Sequence, residues 1–219
     1  MKTMKAIIHR RYVVTLVAVI TLSSLCLALP RQSKGKKPAT GRDKWQQPER
    51  VVADLGLRNG ATIADIGCGS GYFTFRLSRA VGEKGKVFAT EISARGLKSV
   101  ADRAKRGGIK NIETVLSEPT KTKLEPESID AALISMVLHH VKKEHRVPLV
   151  KDIAKAIKPD GSLYILEWRV NANVKYDKHC RIPRDELVGW AEGAGLKLDA
   201  EFFYLEHQVL LRFNKPMKK

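Results

Sequence analysis

A glycine-rich turn stands where one of the apolar segments of the chain ends. Residues 64–73 read Ala-Asp-Ile-Gly-Cys-Gly-Ser-Gly-Tyr-Phe. Glycine allows a positive φ and lets a ligand approach the backbone without meeting a Cβ atom, and a helix that follows such a turn offers unpaired N–H groups. The dinucleotide-binding motif requires glycine at position 72, where this chain has Tyr72. The turn therefore favours a ligand without a pyrophosphate.

A carboxylate follows the next apolar segment. Residues 87–90 predict a strand, and Glu91 comes directly after it, about 20 residues beyond the glycine turn, as in nucleotide-binding folds. A carboxylate in that place can accept hydrogen bonds from the hydroxyls of a ribose. The alternative is an exposed acid at a strand end. With the glycine turn in front of it, Glu91 predicts a ribose site.

Alternating strands and helices must position these groups. The predicted strands are 62–66, 87–90, 111–116, 129–135, 162–167, 198–204 and 208–213, and the predicted helices are 48–55, 72–81, 94–106, 149–157 and 184–194. Apolar strands separated by helices indicate an α/β fold, with a mostly parallel sheet covered on both faces. The gap at 205–207 is too short for a parallel crossover, so the last two strands predict an antiparallel hairpin. Ligands of such a sheet bind beyond the carboxyl ends of its strands.

The N-terminal residues have a different character. A basic head, an apolar stretch and Ala28 predict a signal peptide over 1–28, and Arg10 and Arg11 are also typical of twin-arginine signals. The alternative is an uncleaved signal anchor, since roughly 18 apolar residues can span a bilayer. Residues 29–44 predict a basic flexible linker, which leaves 45–216 as the domain. The expected location is exported or periplasmic, or membrane-anchored, with possible contact to the membrane surface.

Composition and charge narrow the function classes. The chain is 43% hydrophobic and 29% charged, which excludes collagen, coiled coils and wholesale disorder. Removing the four basic residues of 1–28, which hold no acid, lowers the net charge only from +17 to +13. This charge leaves nucleic acid, anionic lipid or an acidic ligand open as partners, although no basic–aromatic stripe suited to base stacking is present. Cys26, Cys68 and Cys180 lack the pairing of a zinc site, so no metal is predicted.

Together these motifs resemble the class I S-adenosylmethionine-dependent methyltransferases, especially the small-molecule group that includes ubiquinone/menaquinone-biosynthesis enzymes. The resemblance covers about 45–214, including the fourth-strand motif 130–136 with its continuation 138–140, and the turn at 157–162. It implies a Rossmann-like, seven-stranded sheet and S-adenosyl-L-methionine as cofactor. Ser117 and Glu118 fall where the family contacts adenine, although relatives often have Asp-Ala there. The predicted cofactor-binding residues are Asp65, Gly67, Cys68, Gly69, Gly71, Tyr72, Glu91, Ile92, Ser117, Glu118, Ser135 and Met136.

The expected chemistry is methyl transfer, which requires mainly that acceptor and donor be aligned. A general base helps where the acceptor keeps its proton until attack. His139 and His140, after the fourth strand, are the candidate bases, with packing at a helix start as the alternative. Residues 171–181 predict the acceptor-side loop, because they follow the fifth strand. In that loop Tyr176, His179 and Arg181 are candidate substrate contacts or plain surface groups.

Three function classes follow from these observations. The first is an enzyme that transfers a methyl group to a small-molecule or lipid-like acceptor. The second is a nucleic-acid-directed methyltransferase or binder, although the Asn/Asp-Pro-Pro-aromatic motif and the Pro-Cys pair of such enzymes are missing. The third is a cofactor-binding protein without catalysis. The sequence does not indicate the oligomeric state.

Overall fold

A computed structural model describes residues 41–173 and 181–217. Its helices are α1 (Gly41–Gln46), α2 (Pro48–Asp54), α3 (Thr74–Val81), α4 (Ala94–Arg106), α5 (Lys143–Ala156) and α6 (Arg184–Glu192). Its strands are β1 (Thr62–Ile66), β2 (Lys86–Glu91), β3 (Ile112–Leu116), β4 (Ile129–Ser135), β5 (Ile157–Trp168), β6 (Lys197–Phe202) and β7 (Gln208–Asn214), with a 3₁₀ turn at Leu138–His140. No helix among the described residues is long and apolar enough to cross a membrane. The predicted signal segment 1–28 lies outside those residues.

The strands form one seven-stranded sheet in the order β3-β2-β1-β4-β5-β7-β6. Strands β1 to β5 pair in parallel, and β7 lies antiparallel between β5 and β6. The predicted fold class is therefore confirmed, including the C-terminal antiparallel hairpin. The order reverses at β1 and β4, so their carboxyl ends flank the crevice where ligands of open α/β sheets bind.

Both faces of the sheet are buried. Successive side chains of a strand point to opposite faces, and β4 shows this directly. Ala132 and Ile134 belong to a core cluster with α5 and α6, whereas Ala131 and Leu133 belong to a second cluster with α2 and α3. The near-continuous apolar character of β4 follows from this double burial.

Several helix bounds differ from the prediction, and α3 begins at Thr74 rather than at 72. The predicted linker 29–44 extends too far, because Gly41–Gln46 is helical. Helix α5 begins at Lys143 rather than at 149 and contains Pro148 in its second turn. Its apolar face, which includes Leu149 and Ile153, packs against the core. Helix α6 ends at Glu192 rather than at 194. The positive φ of Gly195 then turns the chain towards β6.

Strand β5 begins earlier than the predicted residue 162. Ile157 pairs with Ile129, and the register then shifts so that Ser162 pairs with Ala131. The turn with Pro159 and Gly161 is thus an irregularity within the strand pairing. A Cβ atom on Gly161 would lie 2.7 Å from the Asp130 carbonyl oxygen, which explains the need for glycine there.

Candidate functional site

The glycine turn after β1 requires glycine for more than one reason. Gly67, Gly69 and Gly71 have φ values of 68°, 54° and 87°, a region that other residues enter at a cost. The N–H groups of Gly67 and Cys68 both donate to the Thr90 carbonyl, at 2.9 and 3.0 Å. The turn is therefore fastened to the end of β2. A Cβ atom on Gly67 would lie 2.6 Å from Cγ2 of Val137.

Glu91 holds this turn in place as well as facing the crevice. Its Oε2 accepts a hydrogen bond from Gly69 N–H at 3.0 Å, and its Oε1 accepts one from Ser93 N–H at 3.0 Å. Gly96 of α4 allows the close approach, since a Cβ atom there would lie 2.9 Å from the Gly69 carbonyl oxygen. A carboxylate has about four lone-pair sites, so each oxygen can accept a further hydrogen bond from a ligand. The sequence suggested the ligand contact but not the structural one.

Two cavities lie at the carboxyl ends of the strands, and Gly67, Met136 and His140 line both of them. The first, of about 510 Å³, is bordered by the glycine turn and by Trp45 and Trp168. The second, of about 500 Å³, is bordered by Glu91 and the chain that follows β2 and β3. Every predicted cofactor-binding residue except one lines one of these cavities: Asp65, Gly67, Cys68, Gly69, Tyr72 and Ser135 line the first, Gly67, Glu91, Ile92, Ser117 and Glu118 the second, and Met136 both.

Gly71 is the exception. It lines neither cavity, and a Cβ atom on it would lie 2.7 Å from the Phe75 ring and 3.1 Å from Val100. Its glycine is needed for the close packing of α3 against α4. Gly71 therefore shapes the turn, and its contact with the cofactor stays a prediction.

The second cavity combines an apolar surface with the Glu91 carboxylate. Ile92 lines this cavity and is 61% exposed, so its side chain is available to contact a flat ligand ring. Ser117 N–H donates to the Glu91 carbonyl at 3.0 Å, which brings β3 and β2 together at this edge. The Glu118 carboxylate pairs with Lys123 at 3.0 Å. A ligand would have to share Glu118 with that lysine.

Burial controls the ionisable groups of the first cavity. Asp65 is buried, its carboxylate accepts a hydrogen bond from Thr74 Oγ1 at 2.6 Å, and burial raises its pKa to about 6. Burial also raises the pKa of the Cys68 thiol far above its ordinary value. The thiol stays protonated at neutral pH, which agrees with Cys68 as a small filler rather than a nucleophile.

Helix α1 forms a wall of the first cavity. Trp45 stacks on Trp168 with ring centroids 5.1 Å apart. Asp43 accepts a hydrogen bond from the Tyr72 hydroxyl at 2.6 Å and pairs with Arg76 at 3.1 Å. Sequence reasoning missed this wall because most of α1 lay in the predicted linker 29–44. The signal in the sequence was one tryptophan just before the first predicted helix and a second just after the predicted fifth strand.

His139 and His140 lie in the 3₁₀ turn that follows β4. Both line the first cavity, and His140 also lines the second. Nδ1 of His139 lies 2.7 Å from Oε2 of Glu167, and these side chains are only 6% and 2% exposed. The His140 ring lies 4.0 Å from that of His139, and burial lowers the pKa of His140. Met136, which directly follows β4 and lines both cavities, has a φ of 60°. Such strain in a non-glycine residue is typical of functional sites.

The predicted acceptor loop is only partly described. Tyr176 and His179 lie outside the described residues. Arg181 is described and lines neither cavity; its Nη1 donates to the Val170 carbonyl at 2.7 Å. It therefore fastens the chain after β5, and its contact with a substrate stays a prediction. Across 41–173 and 181–217, no group of three or more His, Cys, Asp or Glu side chains could hold a metal ion.

Comparisons with known proteins agree with this geometry. Residues 63–161 match the family described as "Methyltransferase domain". The demethylmenaquinone methyltransferase of Staphylococcus aureus (strain JH9) is 31% identical over 123 residues, which are 56% of this chain and 48% of that protein. The chain thus spans about half the length of the curated relatives it matches.

Solved structures support the same fold. A SAM-dependent methyltransferase from Aquifex aeolicus superimposes with a TM-score of 0.74 at 23% identity, over 82% of this chain and 94% of that one. The 1,6-didemethyltoxoflavin-N1-methyltransferase of Burkholderia thailandensis, solved with 1,6-didemethyltoxoflavin and S-adenosylhomocysteine, has a TM-score of 0.60 at 20% identity, over 80% of this chain and 82% of that one. At such identities the likeness establishes the fold alone.

Proposed function

Because residues 63–161 match a methyltransferase domain and the sheet has the topology of that fold, we propose that the chain is a class I methyltransferase that binds S-adenosyl-L-methionine and transfers a methyl group to a small-molecule or lipid-like acceptor. The observation that carries this proposal is the pair of adjoining cavities at the switch point of the sheet. The second cavity, with Glu91, has the features of a nucleoside site, and the first cavity gives an acceptor a separate space. Gly67, Met136 and His140 border both, so the reacting atoms would meet beside them.

The residues present fit the adenosyl group. Around Gly69, a Cβ atom would meet nothing within 4 Å, which leaves the backbone of the turn free to approach a ligand. Glu91 would accept hydrogen bonds from ribose hydroxyls, and the exposed side chain of Ile92 would cover a face of the adenine. When bound, the cofactor supplies an electrophilic methyl group on a sulfonium. The protein then has mainly to hold and orient the acceptor.

A small or lipid-like acceptor is supported by the first cavity and by one relative. The cavity has aromatic walls, including Trp45, Tyr72 and Trp168, which suit an apolar molecule of ordinary ligand size. The name of the Staphylococcus aureus relative identifies demethylmenaquinone as that protein's substrate. We propose an acceptor of this broad kind for the present chain, without assigning the compound.

The test of cofactor binding is calorimetric titration of the full chain with S-adenosyl-L-methionine and with S-adenosylhomocysteine. We expect both compounds to bind. Gly69→Val should abolish binding, because the added side chain would enter the free space above the turn. Glu91→Ala should weaken it about 10- to 100-fold, since hydrogen bonds to charged groups contribute about 1.5–3 kcal/mol.

Two matched variants serve as controls. Gly108 also has a positive φ with open space around it but lies outside both cavities, so Gly108→Val should bind the cofactor normally. Glu113→Ala removes a carboxylate that pairs with Lys86 on the surface and should be equally silent. If the wild-type chain ignores both compounds, the proposed function is wrong.

Turnover separates an enzyme from a protein that only binds the cofactor. Full-length protein is incubated with methyl-labelled S-adenosyl-L-methionine and a metabolite extract, and label in an extracted product is measured. The Glu91→Ala variant provides the background. Labelled nucleic acid, with association that weakens steeply as salt increases, would instead favour the nucleic-acid-directed alternative.

We propose further that the N-terminal segment directs the protein to a membrane or across it. Support comes from the basic head and apolar stretch of residues 1–28. Fractionation of tagged cells, with N-terminal sequencing of the recovered chain, distinguishes cleavage near Ala28 from retention as an anchor. Full-length protein recovered only from the cytosolic fraction would contradict this proposal.

A further inference from the structure

We propose that His139, positioned by Glu167, accepts a proton from the acceptor, and that the acceptor is a planar aromatic molecule carrying a hydroxyl or N–H group. This inference rests on the proposed methyl transfer and deepens it by defining the acceptor. It is carried by the hydrogen bonding of His139 and by the aromatic side chains that line the same cavity.

The His139 ring has one nitrogen occupied and one available. Nδ1 lies 2.7 Å from the Glu167 carboxylate, which cannot donate when ionised, so the imidazole N–H belongs on Nδ1. Nε2 makes no hydrogen bond with any described residue, and His139 lines the first cavity. Because the proton sits on Nδ1, Nε2 has a free lone pair. This is the arrangement of a proton acceptor held by a carboxylate.

A purely structural role leaves part of the Glu167 carboxylate unexplained. Glu167 is 1% exposed at the end of β5, and its Oε1 is buried with no hydrogen-bond partner among the described residues. An unpaired buried polar atom destabilises a fold and calls for a reason. A carboxylate that stabilises positive charge arising on His139 during the reaction supplies that reason, since only the charged state makes full use of it.

The other charged groups around the site do not replace Glu167. His140 packs on the His139 ring, and burial lowers its pKa, so it stays neutral at physiological pH. Asp65 and Arg42 lie on other walls of the same cavity. Asp65 already accepts a hydrogen bond from Thr74, and Arg42 stacks on the Tyr72 ring with 3.7 Å to its centroid.

The walls of the first cavity define the body of the acceptor. The stacked pair of Trp45 and Trp168 forms one side, and Tyr72, Phe73 and Met136 contribute further apolar surface. Aromatic rings prefer stacked or edge-to-face contacts with other rings. A planar aromatic acceptor can make such contacts while its polar substituent reaches Nε2 of His139.

The resulting step balances without any further reactant. A lone pair on the acceptor oxygen or nitrogen forms the bond to the methyl carbon, and the carbon–sulfur bond pair stays on sulfur. The proton of the acceptor O–H or N–H passes to Nε2 of His139. The positive charge that was on the sulfonium ends on the imidazolium beside Glu167.

The experiment compares two probes, 2-naphthol and 2-methoxynaphthalene, by calorimetry with the full chain and saturating S-adenosylhomocysteine. They share a planar body, but only the naphthol has a proton to donate to Nε2. We expect wild type to bind 2-naphthol about fivefold more tightly than the ether, as one added hydrogen bond would give. His139→Asn keeps a donor for Glu167 but removes Nε2, and should reduce this ratio to about one.

Glu167 is tested as a positioning residue by rescue. Glu167→Leu should reduce the preference for naphthol, because Nδ1 loses its acceptor and the imidazole proton is then shared between the two nitrogens. Glu167→Gln can still accept from Nδ1–H and should restore part of the preference. Two-bond ¹⁵N–¹H spectra of the ring should show the proton on Nδ1 in wild type and in Glu167→Gln, but a mixture in Glu167→Leu.

His207→Asn, in the turn between β6 and β7, is the control and should keep the wild-type ratio. A wild-type ratio of one, a ratio unchanged in His139→Asn, or a proton on Nε2 in wild type would overturn the proposal. If S-adenosylhomocysteine binds but neither naphthalene does, the acceptor class is wrong and the proposed function stands. If S-adenosylhomocysteine itself does not bind, the proposed function fails first.

Discussion

Substituting Gly67 by alanine should destabilise the fold through one identifiable contact. The φ of 68° costs a residue with a Cβ atom about 1–2 kcal/mol. The new Cβ would also lie 2.6 and 2.9 Å from the two methyl groups of Val137, and overpacking of this kind costs about 1–3 kcal/mol. We therefore expect the free energy of unfolding to fall by about 2–5 kcal/mol. This is a large share of the 5–15 kcal/mol typical of a domain.

Gly69 provides a matched comparison in the same turn. It has a similar φ of 54°, but its Cβ atom would meet nothing within 4 Å. Gly69→Ala should therefore lose only the backbone contribution, about 1–2 kcal/mol. Urea unfolding of the full-length variants, followed by tryptophan fluorescence and analysed by linear extrapolation, measures the difference.

A double variant identifies the contact. Val137→Ala removes both clashing methyl groups, so it should recover about 1–3 kcal/mol in the Gly67→Ala background, while destabilising the wild-type chain slightly. A coupling of this sign is expected only for residues in contact. Equal losses for Gly67→Ala and Gly69→Ala, or strictly additive effects with Val137→Ala, would refute this explanation of the turn.

Three further perturbations have defined outcomes. Burial raises the Asp65 pKa from 3.8 to about 6, so the free energy of unfolding should fall by at most about 3 kcal/mol as the pH rises from 4 through 6. Asp65→Asn should remove this fall, and wild type and variant with the same pH dependence of unfolding from pH 4 to 8 would contradict it. Trp45→Leu should weaken 2-naphthol binding about threefold to tenfold by loss of ring contacts, while S-adenosylhomocysteine binding stays unchanged. Trp190→Leu, on α6, should change the binding of neither compound, and equal effects of the two variants would count against the aromatic wall. Glu91→Gln should bind S-adenosylhomocysteine more weakly than wild type but more tightly than Glu91→Ala, since one amide oxygen can still accept from Gly69 N–H; calorimetry showing no such order would contradict the role of Glu91.

Much of the fold was predictable because its signals are local. β1, β4 and α4 occupy the predicted residues, since the apolar pattern that predicts each of them lies within the segment itself. The prediction was wrong for α1 because six residues rich in charge have no helical pattern of their own. This helix is stabilised by Tyr72 and Arg76, before and within α3, which bind Asp43.

The candidate site was predictable to the same extent. The glycine turn and Glu91 follow consecutive parallel strands, so their meeting at one edge of the sheet follows from the alternation of strands and helices. The contact between Trp45 and Trp168 did not follow from any pattern, because it joins the start of the domain to the end of β5. The hydrogen bond from Arg181 to the Val170 carbonyl did not follow from a pattern either, because it depends on the path of the chain after β5.

The chain order by itself determined which chemical groups stand at the ends of the strands: bare backbone after β1, a carboxylate after β2 and two histidines after β4. The tertiary structure alone decided which carboxylate lies against His139. At its start β5 pairs Ile157 with Ile129, a register that would place Leu163 opposite Ser135, but the irregularity after Ile129 shifts the partner to Leu166. That shift brings Glu167 to the edge of the sheet beside His139. Such a register depends on the packing of distant segments, which no local pattern encodes.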